Sequence, residues 1–235
     1  MLFFSCSDND VQDIKANENL PRTISFSGFE WIAEGSGSSR INPGQNYFSA
    51  SEENVWVDKK GNLHLKITYR NGVWHCAKVT LKESFGFKRY VFSTSSRVDK
   101  LDKNVVGGLF AYVDDSNEID IEFSKWGAEG NMNSQFAVQP AHQEGNIYRY
   151  NLNLKGKNST HVIDWKKDLI DFASYRGHSA AMPKPGKVIS EWTYTGNSIP
   201  HEGGEKIMIN LWLFRGQPPS DNEEAEMIIK AFGIY

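Results

Sequence analysis

At 235 residues the chain is longer than one average domain and short for two, a length that all-β sandwiches commonly fill as a single unit. Its 26 Lys and Arg against 29 Asp and Glu leave a formal charge of −3, which excludes the basic footprint needed to hold nucleic acid or an anionic membrane surface. With 39% hydrophobic and 13% aromatic residues wholesale disorder is excluded; two cysteines exclude a disulfide framework or a Cys-rich zinc site, and no apolar run approaches the ~20 residues of a membrane helix.

The chain opens on Met1-Leu-Phe-Phe-Ser-Cys6, an apolar stub ending on a small residue and a cysteine, followed by the acidic Ser7-Asp8-Asn9-Asp10. It is similar to the end of a bacterial lipoprotein signal, although it lacks a positively charged start and is shorter than the ~7–15 apolar residues of a full signal. On that likeness Cys6 is a lipidation site and residues 1–20 are a signal remnant and polar tether. The protein is then extracytoplasmic: a cell-surface or periplasmic lipoprotein with a lipid anchor to the outer membrane, or a secreted protein. The alternative is a frayed apolar terminus on a cytosolic protein. Residues 21–235 are expected to form one domain, and the protein to be a monomer.

From about Pro21 onward the sequence reads as strands. Leu63, Leu65, Ile67 and Tyr69 alternate with His64, Lys66 and Thr68, the period-two signature of a half-buried strand. Val79–Leu81, Tyr90–Phe92 and Val105–Val113 are rich in β-branched and aromatic residues, and Ile147–Leu154, His161–Trp165, Leu169–Tyr175 and Val188–Tyr194 continue the pattern. Lys206–Phe214 and Glu226–Tyr235 complete it. Turn signals fall between them at hairpin spacing: Lys60-Gly61-Asn62, Asn71-Gly72, Asp114–Asn117, Lys155–Asn158 and Pro183–Gly186. No apolar stripe at helical spacing persists. About twelve strands in one chain predict an all-β fold, two stacked antiparallel sheets or a barrel.

One strand carries most of the chemical information: Asn117-Glu-Ile-Asp-Ile-Glu-Phe123. Alternation sends Ile119, Ile121 and Phe123 to the core and lines up Glu118, Asp120 and Glu122 on the opposite face. Given 29 acids in 235 residues and 39% apolar content, chance yields this five-residue pattern about 0.06 times in such a chain. Three stacked carboxylates repel one another, so at least one is expected to hold a proton near neutrality. Glu118 and Glu122 lie about 13 Å apart at their Cα atoms, and two inclined arms could bring the carboxyls to the ~5–5.5 Å of a retaining glycosidase. Asp120 between them would set the two pKa values apart. The alternative is a solvated acidic face on an outer strand. Along Lys206–Phe214, an inward Ile207, Ile209, Leu211 and Leu213 leaves Asn210 and Trp212 for a cleft, a directed hydrogen-bonding group beside an apolar plane; Trp212 as plain core is the alternative. Trp126, just after the acidic strand, is a further candidate sugar platform.

Other chemistries find no support. The six histidines show no metal-ligand spacing, and no nucleophile elbow, phosphate loop or dinucleotide fingerprint is present. Cys76 reads as a buried free thiol.

Glu118-Ile-Asp-Ile-Glu122-Phe resembles the signature of glycoside hydrolase family 16, the laminarinase, lichenase and xyloglucan-transferase group. The resemblance runs from about Phe26 to Tyr235: Asn54-Val-Trp-Val with Gly61-Asn-Leu-His-Leu-Lys-Ile, Phe85-Gly-Phe-Lys-Arg-Tyr, His161-Val-Ile-Asp-Trp165 with Ile170-Asp-Phe, and Lys206-Ile-Met-Ile-Asn-Leu-Trp212. It implies an antiparallel β-sandwich jelly roll, concanavalin-like, with a cleft on the concave sheet. It implies Glu118 as nucleophile, Asp120 as its assistant and Glu122 as general acid/base. Phe87, Trp126, Gln135, Asn210 and Trp212 would bind substrate. The regular ExDxE spacing is similar to the lichenase and xyloglucan-transferase branch. The chain departs from lichenases at Ser116-Asn117, where they carry Trp-Asp, and at Ala137 and Gln139, where they carry Asn and Tyr. Lys78 and Thr80 stand for Glu and Arg, and Lys88 and Val91 for Gly and Glu. The expected activity is a retaining endo-β-glycosidase on a polysaccharide, a 1,3-1,4- or 1,3-β-glucan first. The alternatives are a non-catalytic carbohydrate-binding sandwich, a transglycosylase, or a galactan hydrolase. No cofactor is required; a structural calcium away from the cleft is implied by the resemblance but assigned to no residue.

Overall fold

The structure, a computed structural model, describes residues 20–181 and 183–235. Residues 1–19, on which the Cys6 lipidation reading and nearly all of the tether fall, lie outside the described residues.

The described residues are all-β apart from three short 3₁₀ turns at Val98–Lys100, Pro185–Lys187 and Phe214–Gly216. One sheet runs β11 (Ile147–Tyr150), β10 (Ser134–Val138), β9 (Asn117–Phe123), β8 (Val105–Asp114), β15 (Lys206–Leu213), β6 (Val73–Leu81), β2 (Phe29–Ala33) and β1 (Arg22–Phe26). The other runs β4 (Val55–Val57), β5 (Leu63–Arg70), β16 (Ala225–Ile234), β7 (Arg89–Ser95), β12 (Asn158–Trp165), β13 (Ile170–Arg176) and β14 (Val188–Tyr194). Every pairing is antiparallel except that of β3 (Tyr47–Phe48) with β6.

The two sheets are continuous at one corner. The first residues of β6, Val73–His75, pair back onto Thr68–Arg70 of β5, whereas Ala77–Thr80 pair with β15 in the other sheet. The tight return is made by Asn71 and Gly72, both left-handed (φ 52° and 79°), the conformation a two-residue hairpin turn of this hand needs. The result is a jelly-roll sandwich curved nearly into a barrel.

Alternation decides which side chains enter the core. Ile207, Ile209, Leu211 and Leu213 of β15 and Ile119, Ile121 and Phe123 of β9 face inward and are fully buried. They belong to one apolar cluster with Leu63, Leu65, Ile67, Phe92, Ile163 and Phe172 of the opposing sheet. Phe136 of β10 stacks on Phe172 of β13 at 5.1 Å, one of the contacts that close the sandwich. Behind Phe123 sits His161, wholly buried, its ring 4.6 Å from the Phe123 ring and its nitrogens bonded to Ser159 Oγ (2.9 Å) and Ser174 Oγ (2.8 Å). Burial drives its pKa down to about 3, so it is neutral at physiological pH. Cys76 is a buried free thiol whose pKa burial pushes up to about 12.

One expectation needs correction. The alternation over Ile147–Leu154 predicts one strand, but β11 ends at Tyr150. Leu152 and Leu154 are buried without a strand partner: Leu152 N–H donates to Asn133 Oδ1 (2.7 Å) and Leu154 N–H to Asp99 Oδ2 (3.2 Å). Side chains there substitute for a ladder, which period-two reading cannot distinguish from one. The short β1, β3 and β10 also escape a reading that needs longer runs.

Asn54 clamps the corner where the sheets join. Its buried amide donates to Lys66 O (2.8 Å), Thr68 Oγ1 (3.1 Å) and His75 O (3.0 Å), and its Oδ1 accepts from Arg70 Nη2 (2.7 Å). Asn54→Ala leaves these groups unsatisfied in a dry site and should lower the unfolding free energy by about 2–4 kcal/mol in urea titration. A loss under about 0.5 kcal/mol would contradict the clamp.

Candidate active site

β9 lies between β8 and β10 in the first sheet, and from Glu118 to Glu122 its pairing with β8 is regular. The shift in that ladder comes earlier, between Tyr112 and Asp114. Glu118, Asp120 and Glu122 therefore share one face, turned away from the opposing sheet, and each defines a transverse row. Glu122 lies between Gln135 on β10 and Gly108 on β8, with Asn210 of β15 beyond Gly108 and Lys78 of β6 beyond Asn210. Asp120 lies between Ala137 and Phe110, with Met208 beyond. Glu118 lies beside Tyr112. A cavity of about 210 Å³ opens over this floor, lined by Glu118, Asp115, Tyr112, Phe110, Met208, Asn210 and Lys78 and bounded by Asn42 and Pro43.

The missing side chain at Gly108 shapes the floor. A Cβ there would stand 2.5 Å from Asn210 Oδ1, so only glycine lets Asn210 lie against the strand beside Glu122. Asn210 is 4% exposed, and its Oδ1 is buried without a hydrogen-bond partner.

The carboxyls sit in a poorly solvated place, and each keeps its proton to unusually high pH. Asp120 is 4% exposed; burial, then the Glu118 charge and the hydrogen bond to Glu118, hold it well above the ordinary range, against a hydrogen bond from Gln139 Nε2 (3.1 Å). Burial lifts Glu118 to about 7; the hydrogen bond from Asp120 opposes this, while the charges of Glu122 and Asp115 add to it. Burial, with the Asp120 charge, lifts Glu122 to about 8, against the hydrogen bond from Gln135 Nε2 (2.5 Å) and the charge of Arg149. Asp120 donates its proton toward the Glu118 carboxylate, the bond that lowers Glu118 and raises Asp120. A solvated acidic face, the alternative open in the sequence, would leave all three near their ordinary values.

Gln135, Asn210 and the half-buried Trp212 stand on the cleft face of the sheet with the acids, and the inward aliphatic row of β15 is as parity predicts. Trp212 also packs under the Gly44 backbone, where an added Cβ would lie 2.9 Å from its ring. Trp126 follows β9 in a left-handed conformation (φ 45°), and the Arg149 guanidinium lies over its ring, 4.8 Å from the centroid. Phe87 is not brought to the acids: it packs edge-on against Trp165 of the second sheet at 5.1 Å. An apolar residue at a strand entry reads alike for cleft and core.

Sequence reasoning overlooked Arg149, Gly108, Phe110, Tyr112 and Glu34. Extending parity along β8 would have placed Gly108, Phe110 and Tyr112 with the acids. Glu34 arrives from the end of β2: its carboxylate pairs with Lys78 Nζ (2.8 Å) and accepts from Thr80 Oγ1. The two residues that replace a Glu and an Arg of the lichenase pattern are thus joined through an acid from a neighbouring strand. Among the described residues, no group of three His, Cys, Asp or Glu side chains is arranged to hold a metal ion, and no helix is long and apolar enough to cross a membrane.

The architecture defines a class, the jelly-roll sandwiches with a cleft across one sheet. No family model and no curated protein matches the sequence. Solved structures do match. A Bacillus licheniformis β-glucanase superposes with TM-score 0.65 at 19% identity, over 92% of this chain and 97% of that one. A Bacteroides ovatus family 16 glycoside hydrolase, from a mixed-linkage glucan utilisation locus and in complex with a G4G4G3G product, gives 0.63 at 15% identity, over 87% and 94%. A Mycobacterium tuberculosis immunostimulatory antigen and pseudo β-1,3-glucanase gives 0.63 at 18% identity, over 87% and 90%. The chain shares the fold of these proteins.

The raised carboxyls fix the sign of a pH effect. Native Glu118 and Glu122 bind protons up to about pH 7 and 8, where unfolded carboxyls near 4.5 have lost theirs. The native state then binds more protons than the unfolded one, so stability falls as pH rises. An unfolded histidine is half protonated at about pH 6.5 and largely neutral by about pH 7.5, so buried His161 opposes the fall by at most about half a proton at the lower end of the window, less than the carboxyls contribute. Urea unfolding should show stability falling from about pH 6.5 to about pH 8.5, with a shallower fall in Glu122→Gln, which exceeds wild type at the upper end. Equal slopes would contradict the raised value at Glu122.

Proposed function

We propose that the protein is a retaining endo-β-glycosidase of the glycoside hydrolase family 16 type. It cleaves a β-glucan, mixed-linkage 1,3-1,4 or 1,3-linked, by double displacement. The observation that carries this reading is three poorly solvated carboxyls in one row on the cleft face of β9, all held above their ordinary range, with Asp120 hydrogen-bonded to Glu118 and Gln135 to Glu122. Support also comes from the fold shared with a β-glucanase and with a hydrolase in complex with a mixed-linkage product.

In the first step the Glu118 carboxylate attacks the anomeric carbon. The glycosidic C–O bond breaks, and Glu122 gives its proton to the departing oxygen. In the second, the ionised Glu122 takes a proton from water, the water oxygen bonds to the anomeric carbon, and Glu118 leaves as carboxylate. Asp120 donates to Glu118, holding its arm and spreading its charge. Phe110, Tyr112, Met208 and Trp212 give apolar surface for sugar rings, and Asn210, with its unpartnered Oδ1, gives a directed polar group.

A second reading is glycan binding without turnover. It is favoured by the Arg149 guanidinium over Trp126, which covers one face of the expected sugar platform.

Reducing-end release on a panel of β-glucans and galactans should fall at least about a hundredfold in Glu118→Ala and in Glu122→Gln. Proton NMR of the nascent product should show retention at the anomeric carbon. Wild-type activity in either variant, or inversion, would end the proposal. Calorimetric binding without turnover in wild type would select the second reading, and products lengthened by added acceptor sugars would show a transglycosylase.

A further inference from the structure

Arg149 stands outside the acidic row yet lies in line with it. It pairs in register with Gln135 across β11 and β10, and Gln135 pairs with Glu122 across β10 and β9. The three side chains therefore occupy one transverse row and touch in sequence. Arg149 Nε–H donates to Gln135 Oε1 (3.2 Å), and Gln135 Nε2–H donates to Glu122 Oε2 (2.5 Å).

A carboxamide can turn over and exchange its donor and acceptor ends, but a guanidinium carries donors only. With Arg149 in place, the Gln135 oxygen must face Arg149 and its NH2 must face Glu122. Turned over, the NH2 would meet another N–H, and the oxygen would favour a protonated Glu122. The Arg149 guanidinium lies over the Trp126 ring, a cation–π contact that holds it beside Gln135, and Trp126 is set there by the left-handed backbone that follows β9. Among the described residues no carboxylate forms an ion pair with Arg149.

The surroundings of Glu122 isolate this influence. On its own strand it faces Asp120 and, beyond it, Glu118. From β8 it faces Gly108, which has no side chain, and from β15 the neutral Asn210. Lys78, further along that row, is paired with Glu34, and Asp115 acts on Glu118. Arg149 is the cation on the remaining side.

We propose that Arg149 is a positioning residue that acts on Glu122 through Gln135, locking the amide so that an N–H always faces the Glu122 carboxyl. A fixed donor stabilises the ionised form. It therefore counters the burial that would keep Glu122 protonated, and brings into reach of neutral pH the ionised state needed in the second step. Gln135, read from the sequence as a sugar contact, becomes the link in this relay.

The catalytic meaning rests on Glu122 as acid/base, but the electrostatic relation is readable without substrate. Carboxyl-carbon NMR titration of the full chain labelled at glutamate, with the Glu122 signal identified by its loss in Glu122→Gln, would compare wild type with three variants. The Glu122 midpoint should rise by about one pH unit in Arg149→Met and similarly in Gln135→Met. In a Gln135→Met background the Arg149→Met change should move the midpoint little further, because the link through Gln135 is already cut. An unchanged midpoint in Arg149→Met, or a double variant shifted by the sum of the two single shifts, would overturn the relay. In hydrolysis assays the alkaline limb of the kcat/KM profile should move up with the midpoint in Arg149→Met. Shifted midpoints in a chain that hydrolyses no glycan would support the relay while retiring the proposed activity. Retained hydrolysis with unshifted midpoints would do the reverse.

Discussion

Three carboxyl groups on one face of a single strand, poorly reached by water, cannot all be ionised near neutral pH. Burial disfavours every charge, and each charge formed raises the cost of the next. The geometry of β9 gives the two glutamates different partners against that shared cost. Glu118 receives a hydrogen bond from Asp120 and Glu122 one from Gln135, each opposing the burial that holds both carboxyls above the ordinary range. Two chemically alike groups are thereby set in different surroundings, the condition for nucleophile and proton donor to coexist.

The rest of the sheet supports this arrangement. Ile119, Ile121 and Phe123 anchor the strand from below, so the acids cannot rotate into the core without reversing the register. Gly108 removes the side chain that would collide with Asn210, so that Asn210 can lie in the row beside Glu122. On the outer side Gln135 and Arg149 add the one counterweight to burial at Glu122. The clamp at Asn54 is distant in sequence, but it holds the corner where β6 leaves one sheet for the other, and β6 carries Lys78 along the far wall of the cleft.

Much of this was legible from residue alternation, because side-chain direction in a strand is fixed by geometry. The acid row on β9 and the split of β15 into Ile207, Ile209, Leu211 and Leu213 against Asn210 and Trp212 follow from period two alone. The choice between Glu118 and Glu122 does not; only family resemblance gives it a direction. What stayed hidden depends on register between strands. Arg149 meets Gln135 only because of the loop joining β10 to β11, and Glu34 meets Lys78 only through the β2–β6 pairing. Phe87 misled because strand entries are apolar on cleft and core sides alike, and Leu152 and Leu154 because side-chain hydrogen bonds imitate a ladder.

The central claim is that Glu118 is the carboxylate that attacks. Incubation with a 2-deoxy-2-fluoro β-glucosyl oligosaccharide bearing a good leaving group, followed by peptide mapping by mass spectrometry, tests it most directly. The account predicts one glycosyl adduct per chain, an ester on Glu118. An adduct on Glu122, or steady release of the leaving group with no adduct at any time, would contradict it.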